Sequence, residues 1–176
     1  MDADQSLTSR HILNTRTHSQ IGKYLTYVVP PLFYLLVSLA GRTFTSHGLL
    51  SWYPSIAKPS FTPPGHVIAI VWTMIYTLSV ISVMHFVNTV KGRPYFWAII
   101  GLYVLNGILN AAWSYIFFSR QMLGAAVIDS AVIGITVLLL IVFIWPYSKG
   151  SSLLLLPYLL WVSFATYLSY SIYRLN

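Results

Sequence analysis

Asn106, Asn110 and Trp113 stand at i, i+4 and i+7 in an otherwise apolar run, so a helix through them carries two amides and an indole on one face. An amide finds no partner in hydrocarbon, so that face must turn into protein. Two chemistries fit it. One is interhelical hydrogen bonding, worth about 0.6–2 kcal/mol per bond; the other is polar anchoring of a ligand inside a cavity. A second stripe reads Tyr158, Trp161, Ala165 and Leu168, in which a small residue sits one turn beyond a large indole and leaves room beside it. In a third run Trp72 and Tyr76 are one turn apart, with His66 where the helix should begin. Large rings with polar tips around an apolar space suit a flat hydrophobic ligand. The same stripes serve plain core packing, and the residues alone leave both readings open.

Other chemistry finds less support. Asp129 is the only acidic residue inside an apolar run, and an intramembrane carboxylate invites a functional reading. With no second acid and no histidine at ligand spacing it makes neither a proton wire nor a glycosidase pair, so a hydrogen bond to a neighbouring helix is the expected role. His11, His18, His47, His66 and His85 never recur at i+3 or i+4, so no metal site is expected. Axial haem ligation by His47 or His66 is the remaining metal chemistry. The absence of cysteine excludes disulfides, thiolate catalysis and cysteine metal sites. No Gly-rich phosphate loop and no Ser, His, Asp spacing points to a kinase or an ordinary hydrolase.

The elements that must hold these residues are membrane helices. The 176 residues are 57% hydrophobic and 7% charged, too little charge to cover a soluble globule. Ten Lys+Arg against three Asp+Glu give a net charge of +7, but the basic residues are scattered singly between apolar runs. That pattern suits headgroups and orientation, not nucleic acid. A span needs about 20 mostly apolar residues. The charge map predicts five, at 24–41, 65–90, 95–118, 121–146 and 151–173, with the first able to extend a turn into "RTFTS" while Arg42 snorkels. Residues 1–23 form a polar N-terminal extension, too long and mixed for a usual signal peptide, and 24–176 a single transmembrane domain.

Three connections are short, "KGRP", "SRQ" and "YSKG", which makes neighbouring spans antiparallel in a compact all-α bundle. Only the first connection, about 42–64, is long, and long loops tend to carry function. It contains "WYPSIAKPSFTPP", whose four prolines give it a defined shape without regular hydrogen bonding. Lys58 or Arg42 is then placed to meet an anionic ligand group at its rim, and Pro63 and Pro64 to start the second span. Tyr24, Tyr27, Tyr95, Trp97, Trp145, Tyr147, Tyr170 and Tyr173 fall at span ends, as an aromatic belt requires. Six basic residues on the N-terminal side against four on the other lean towards an inside N-terminus. Gly107 and Ala111 form a small-xxx-small pair suited to close approach of a second copy. Leu168, Tyr170 and Arg174 fit the loose cholesterol pattern.

"WYPSIAKPSFTPP", "VWTMIY", "LNAAWSYIFF" and "LLPYLLWVSFATYLSY" occur in that order, and with them residues 24–176 strongly resemble the translocator protein family, also called tryptophan-rich sensory proteins (TspO/MBR). The resemblance implies a five-helix membrane bundle, often dimeric, that binds porphyrins and hydrophobic drug-like ligands in a cavity closed by the first loop. By motif, its ligand-binding residues are Trp52, Tyr53, Trp72, Asn110, Trp113, Trp161 and Ala165; Ile68 and Tyr76 share the helical phase that lines the same cavity. Tetrapyrrole binding for sequestration, transport or disposal under stress is the implied function, with no cofactor required and porphyrin as ligand or substrate. Alternatives are light-dependent porphyrin degradation, in which Trp72 and Trp161 would be the catalytic pair, a sterol or lipid transporter, and a regulatory interaction protein. The chain ends at Asn176 without the longer basic tail of animal members, which argues against high-affinity cholesterol binding. A bacterial cell membrane is the default location, since no mitochondrial presequence is evident; an outer or organellar membrane also fits the family.

Overall fold

The computed structural model describes residues 2–176, with side chains from Tyr24 onward, so the role of the polar extension 1–23 lies outside the described side chains. Among the described residues the architecture is wholly helical. The helices are α1 (Asp2–Leu49), α2 (Gly65–Val90), α3 (Phe96–Ser114, continued by a π-helical turn Tyr115–Ser119), α4 (Leu123–Ile144), the short α5 (Lys149–Leu153) and α6 (Leu156–Leu175). Five segments are long and apolar enough to cross a membrane: Tyr24–Leu49, Gly65–Val90, Phe96–Ser119, Leu123–Ile144 and Lys149–Leu175. The protein is thus an integral membrane bundle. All eight belt aromatics are exposed at span ends.

The first span runs eight residues past the expected boundary at 41. Its polar stretch satisfies its hydroxyls within the helix, Thr43 Oγ1 donating to the Leu39 carbonyl at 2.9 Å and Ser46 Oγ to that of Thr43 at 2.7 Å. Arg42 is therefore an exposed helical residue and not part of the loop, which shrinks to residues 50–64. Pro64 caps α2, its carbonyl accepting from Val67 N at 2.9 Å and Ile68 N at 3.2 Å. The last span is broken between α5 and α6, where Pro157 takes the first turn of the new helix.

Two side-chain clusters fill the bundle. The larger joins Ile75 and Phe86 of α2, Tyr103 of α3, Val137 and Leu140 of α4 and Tyr158 of α6. The smaller, on the loop side, joins Phe117, Phe118, Ala126 and Ile172. Trp113 packs against both. The π-helical turn explains how two successive phenylalanines are both buried: the Arg120 N–H reaches back to the Tyr115 carbonyl at 2.9 Å, and the extra residue advances the helical phase.

Close approach to α1 uses two glycines. At Gly107 a Cβ would lie 2.6 Å from the Phe33 ring, and at Gly48 one would lie 2.6 Å from the Phe118 carbonyl oxygen. The small residue expected to face a second copy therefore meets α1 of its own chain.

Candidate ligand-binding site

Asn106 and Asn110 tie three helices together. Asn106 Nδ2 donates to Thr136 Oγ1 of α4 at 2.8 Å, and Tyr158 of α6 donates its hydroxyl to Asn106 Oδ1 at 2.9 Å. Asn110 Nδ2 reaches the Asn106 carbonyl at 2.8 Å and also the Tyr158 hydroxyl. Of the two chemistries open to this face, interhelical bonding is the one these contacts make. In doing so it fixes the floor on which the aromatic residues stand.

Above that floor the tryptophans converge. Trp72 lies 5.5 Å from Tyr76 and edge-on to Tyr158 at 6.0 Å, and Tyr76 meets the buried Tyr34 of α1 at 5.8 Å. Trp113 stacks on Phe117 at 4.9 Å and 16°. Trp161 packs against the larger cluster and Phe164. Trp72, Tyr76, Trp113 and Trp161 are thus brought to one core, and Asn110 to its edge. Ile68 and Ala165 are half-buried one turn from Trp72 and Trp161 on their helices. Trp52 and Tyr53 instead join the loop-side cluster, against Phe117 at 5.5 and 6.1 Å. An apolar groove of about 470 Å³ beside Ala69 and Thr73 lies outside this aromatic interior.

Among the described residues, four buried polar side-chain atoms lack a hydrogen-bond partner: Ser79 Oγ, Trp113 Nε1, Asp129 Oδ2 and Trp161 Nε1. Buried polar atoms are paired in the great majority of cases, so unpaired ones mark places where something else can bond. The helix-to-helix hydrogen bond expected of Asp129 is not made by Oδ2. Two of the four atoms are indole donors of the converging tryptophans.

The loop is fastened to α6 through Ala57 and Phe61, and Lys58 braces it from within. The Asn176 side chain pairs with both backbone groups of Ala57, Nδ2 donating to the carbonyl and Oδ1 accepting from the N–H, each at 3.0 Å. Phe61 stacks on Tyr167 at 5.5 Å and 14°. Lys58 spends its ammonium inside the loop, donating to the carbonyls of Tyr53 at 2.7 Å and Ile56 at 2.8 Å over the Tyr53 ring. It is committed to loop shape, so the expected pairing with a ligand anion would have to compete with those bonds. Burial raises the Tyr53 phenol above its usual pKa, keeping it a neutral donor.

Asn176 and Tyr34 are the residues that sequence reasoning missed. Asn176 sits four residues beyond Ile172, to whose carbonyl its Nδ2 also donates at 2.8 Å, and a side-chain amide at that spacing is the one local signal. The proposed sterol motif divides: Leu168 packs into the loop-side cluster, while exposed Tyr170 and Arg174 bond each other at 3.1 Å.

A five-span helical membrane protein with a tryptophan-rich interior is the class these features define. The family model described as the TspO/MBR family matches residues 30–174, and the chain belongs to that family. It is 44% identical over 127 residues to the tryptophan-rich protein TspO of Bacillus cereus, covering 72% of this chain and 81% of that one. It is 37% identical over 155 residues to that of Archaeoglobus fulgidus, covering 86% and 97%. Similarity extends to the translocator protein of Sus scrofa, at 29% over 153 residues, 84% and 90% of the two chains.

Proposed function

We propose that the protein binds tetrapyrroles and other flat hydrophobic ligands inside the bundle, between Trp72, Trp113 and Trp161, and releases or passes them on when the loop opens. The observation that carries this reading is the convergence of three tryptophans from three helices, two with buried indole N–H groups that no protein acceptor meets. Ring faces supply apolar contact for a macrocycle, and the free donors suit the carbonyl or carboxylate oxygens on its edge. The interior is filled by the rings themselves, so a ligand takes their place as they turn aside. Family membership supports the same reading.

A protoporphyrin titration of the purified protein in detergent, followed by tryptophan quenching, tests it. Saturable quenching is expected, with affinity falling about tenfold in Trp161→Phe at unchanged melting temperature. Unsaturable quenching, alike in both proteins, would mean that porphyrin partitions into the micelle and would end the reading.

A further inference from the structure

We infer that the end of the bundle away from the loop carries a docking surface for the headgroup of an anionic phospholipid, built from Lys91 and Arg93 of the α2–α3 connection and Lys149 at the start of α5. The surface lies outside the aromatic interior and does not depend on what that interior binds.

Packing between α2 and α5 brings the three cations to one rim. A Cβ on Gly150 would lie 3.4 Å from His85 Cε1, and the hydroxyls of Ser148 and Ser151 each lie 3.0 Å from His85 Nδ1. Lys149, between Ser148 and Gly150, therefore stands beside the last turns of α2. Lys91 follows His85 by six residues, about 9 Å along the helix axis, and Arg93 comes two residues later. The Arg93 N–H closes the turn on the Val90 carbonyl at 3.1 Å, and the stack of Phe86 on Phe96 at 5.6 Å and 10° holds the start of α3 against α2. The cations are thus carried on a braced platform.

Their charge is unspent. All three residues are exposed, and among the described residues none of them makes a hydrogen bond or an ion pair with the protein. Asp129, the only acidic residue with a described side chain, lies in the loop-side half of α4. At the loop end, by contrast, Lys58 is bonded to two carbonyls and Arg174 to the Tyr170 hydroxyl. Lys149 Nζ leans over the Trp145 ring at 5.9 Å, and Trp97 is 79% exposed beside Phe96. Indoles settle at headgroup depth, which puts the neighbouring cations among lipid phosphates. A phosphodiester offers paired oxygens to the Arg93 fork and a negative charge to the two ammonium groups. A headgroup without a cation of its own gains that attraction in full. A choline headgroup sets its ammonium against the same three charges.

The test is native mass spectrometry of the full chain in detergent with equal amounts of phosphatidylglycerol and phosphatidylcholine of identical acyl chains. Phosphatidylglycerol is expected to be retained about tenfold over phosphatidylcholine. Two triple variants remove the same charge from opposite ends, K91Q/R93Q/K149Q and R42Q/R120Q/R174Q. The substituted residues are exposed, so the fold is kept, as melting temperatures will report. The first variant should abolish the preference and the second should keep it, and excess inorganic phosphate should leave the lipid bound. No preference in the unaltered protein, a preference that survives the first variant, or an equal loss in both variants overturns the surface. Displacement of the lipid by phosphate overturns it as well, in favour of a site for free anions.

Discussion

The two ends of the bundle are closed by different chemistry. At the end away from the loop, polar groups satisfy one another: His85 Nδ1 lies 3.0 Å from both the Ser148 and Ser151 hydroxyls, which are 2.9 Å apart. Ser82 there bonds the Tyr103 hydroxyl at 2.6 Å and donates to the Ser151 carbonyl at 2.7 Å. Phe86 and Phe96 stack beside this network at 5.6 Å. At the loop end, aromatic contacts and a single bidentate amide do the closing; Trp113, Asp129 and Trp161 keep unpaired buried atoms, as does Ser79 midway along α2. A satisfied buried network resists opening, because every bond broken there leaves a desolvated group. Trp52 and Tyr53 anchor one side of the loop on Phe117, while its Asn176 and Phe61 contacts are exposed, and exposed contacts open at smaller cost. The difference teaches that the loop end is the more readily opened of the two and the other end the more rigid.

The largest effect is expected midway, where the floor common to both ends lies. Asn106→Leu removes the bonds to Thr136 and Tyr158 and should lower stability by about 2–3 kcal/mol. Thermal unfolding in detergent, followed by circular dichroism, measures it. Next comes the sealed end, where Ser151→Ala should cost about 1 kcal/mol and leave porphyrin association and dissociation rates unchanged. A change in those rates would erase the distinction between the ends. Smallest in stability is Asn176→Ala, within about 0.5 kcal/mol because the residue is exposed. It should nonetheless raise both porphyrin rates severalfold in stopped-flow quenching, since it removes the loop's amide fastening.

The spans were legible because hydropathy and short connections leave few arrangements for a chain with this little charge. Their ends were less so. Arg42, Thr43 and Ser46 lie where the first span could extend by a turn, and the helix runs on past them to Leu49 with the Thr43 and Ser46 hydroxyls bonded back to its carbonyls. The π-helical turn left no mark in the periodicity, since Phe117 and Phe118 as neighbours would ordinarily face different ways. The converging tryptophans were legible from spacing within each helix. Which helix a small residue meets is not encoded in its spacing, so Gly107 suited a second copy as well as it suits Phe33. Asn176 reaches Ala57 across 119 residues of sequence, and no local pattern announces such a contact.

The most direct measurement locks the loop. The chain has no cysteine, so Ala57→Cys with Asn176→Cys introduces a single pair where the amide now fastens the loop. Protoporphyrin association is then followed by stopped-flow quenching with the pair oxidised and again after reduction. Slow association when oxidised, restored by reduction, is the expected result. Equal rates in the two states, with the disulfide verified by mass spectrometry, would contradict ligand traffic through the loop end.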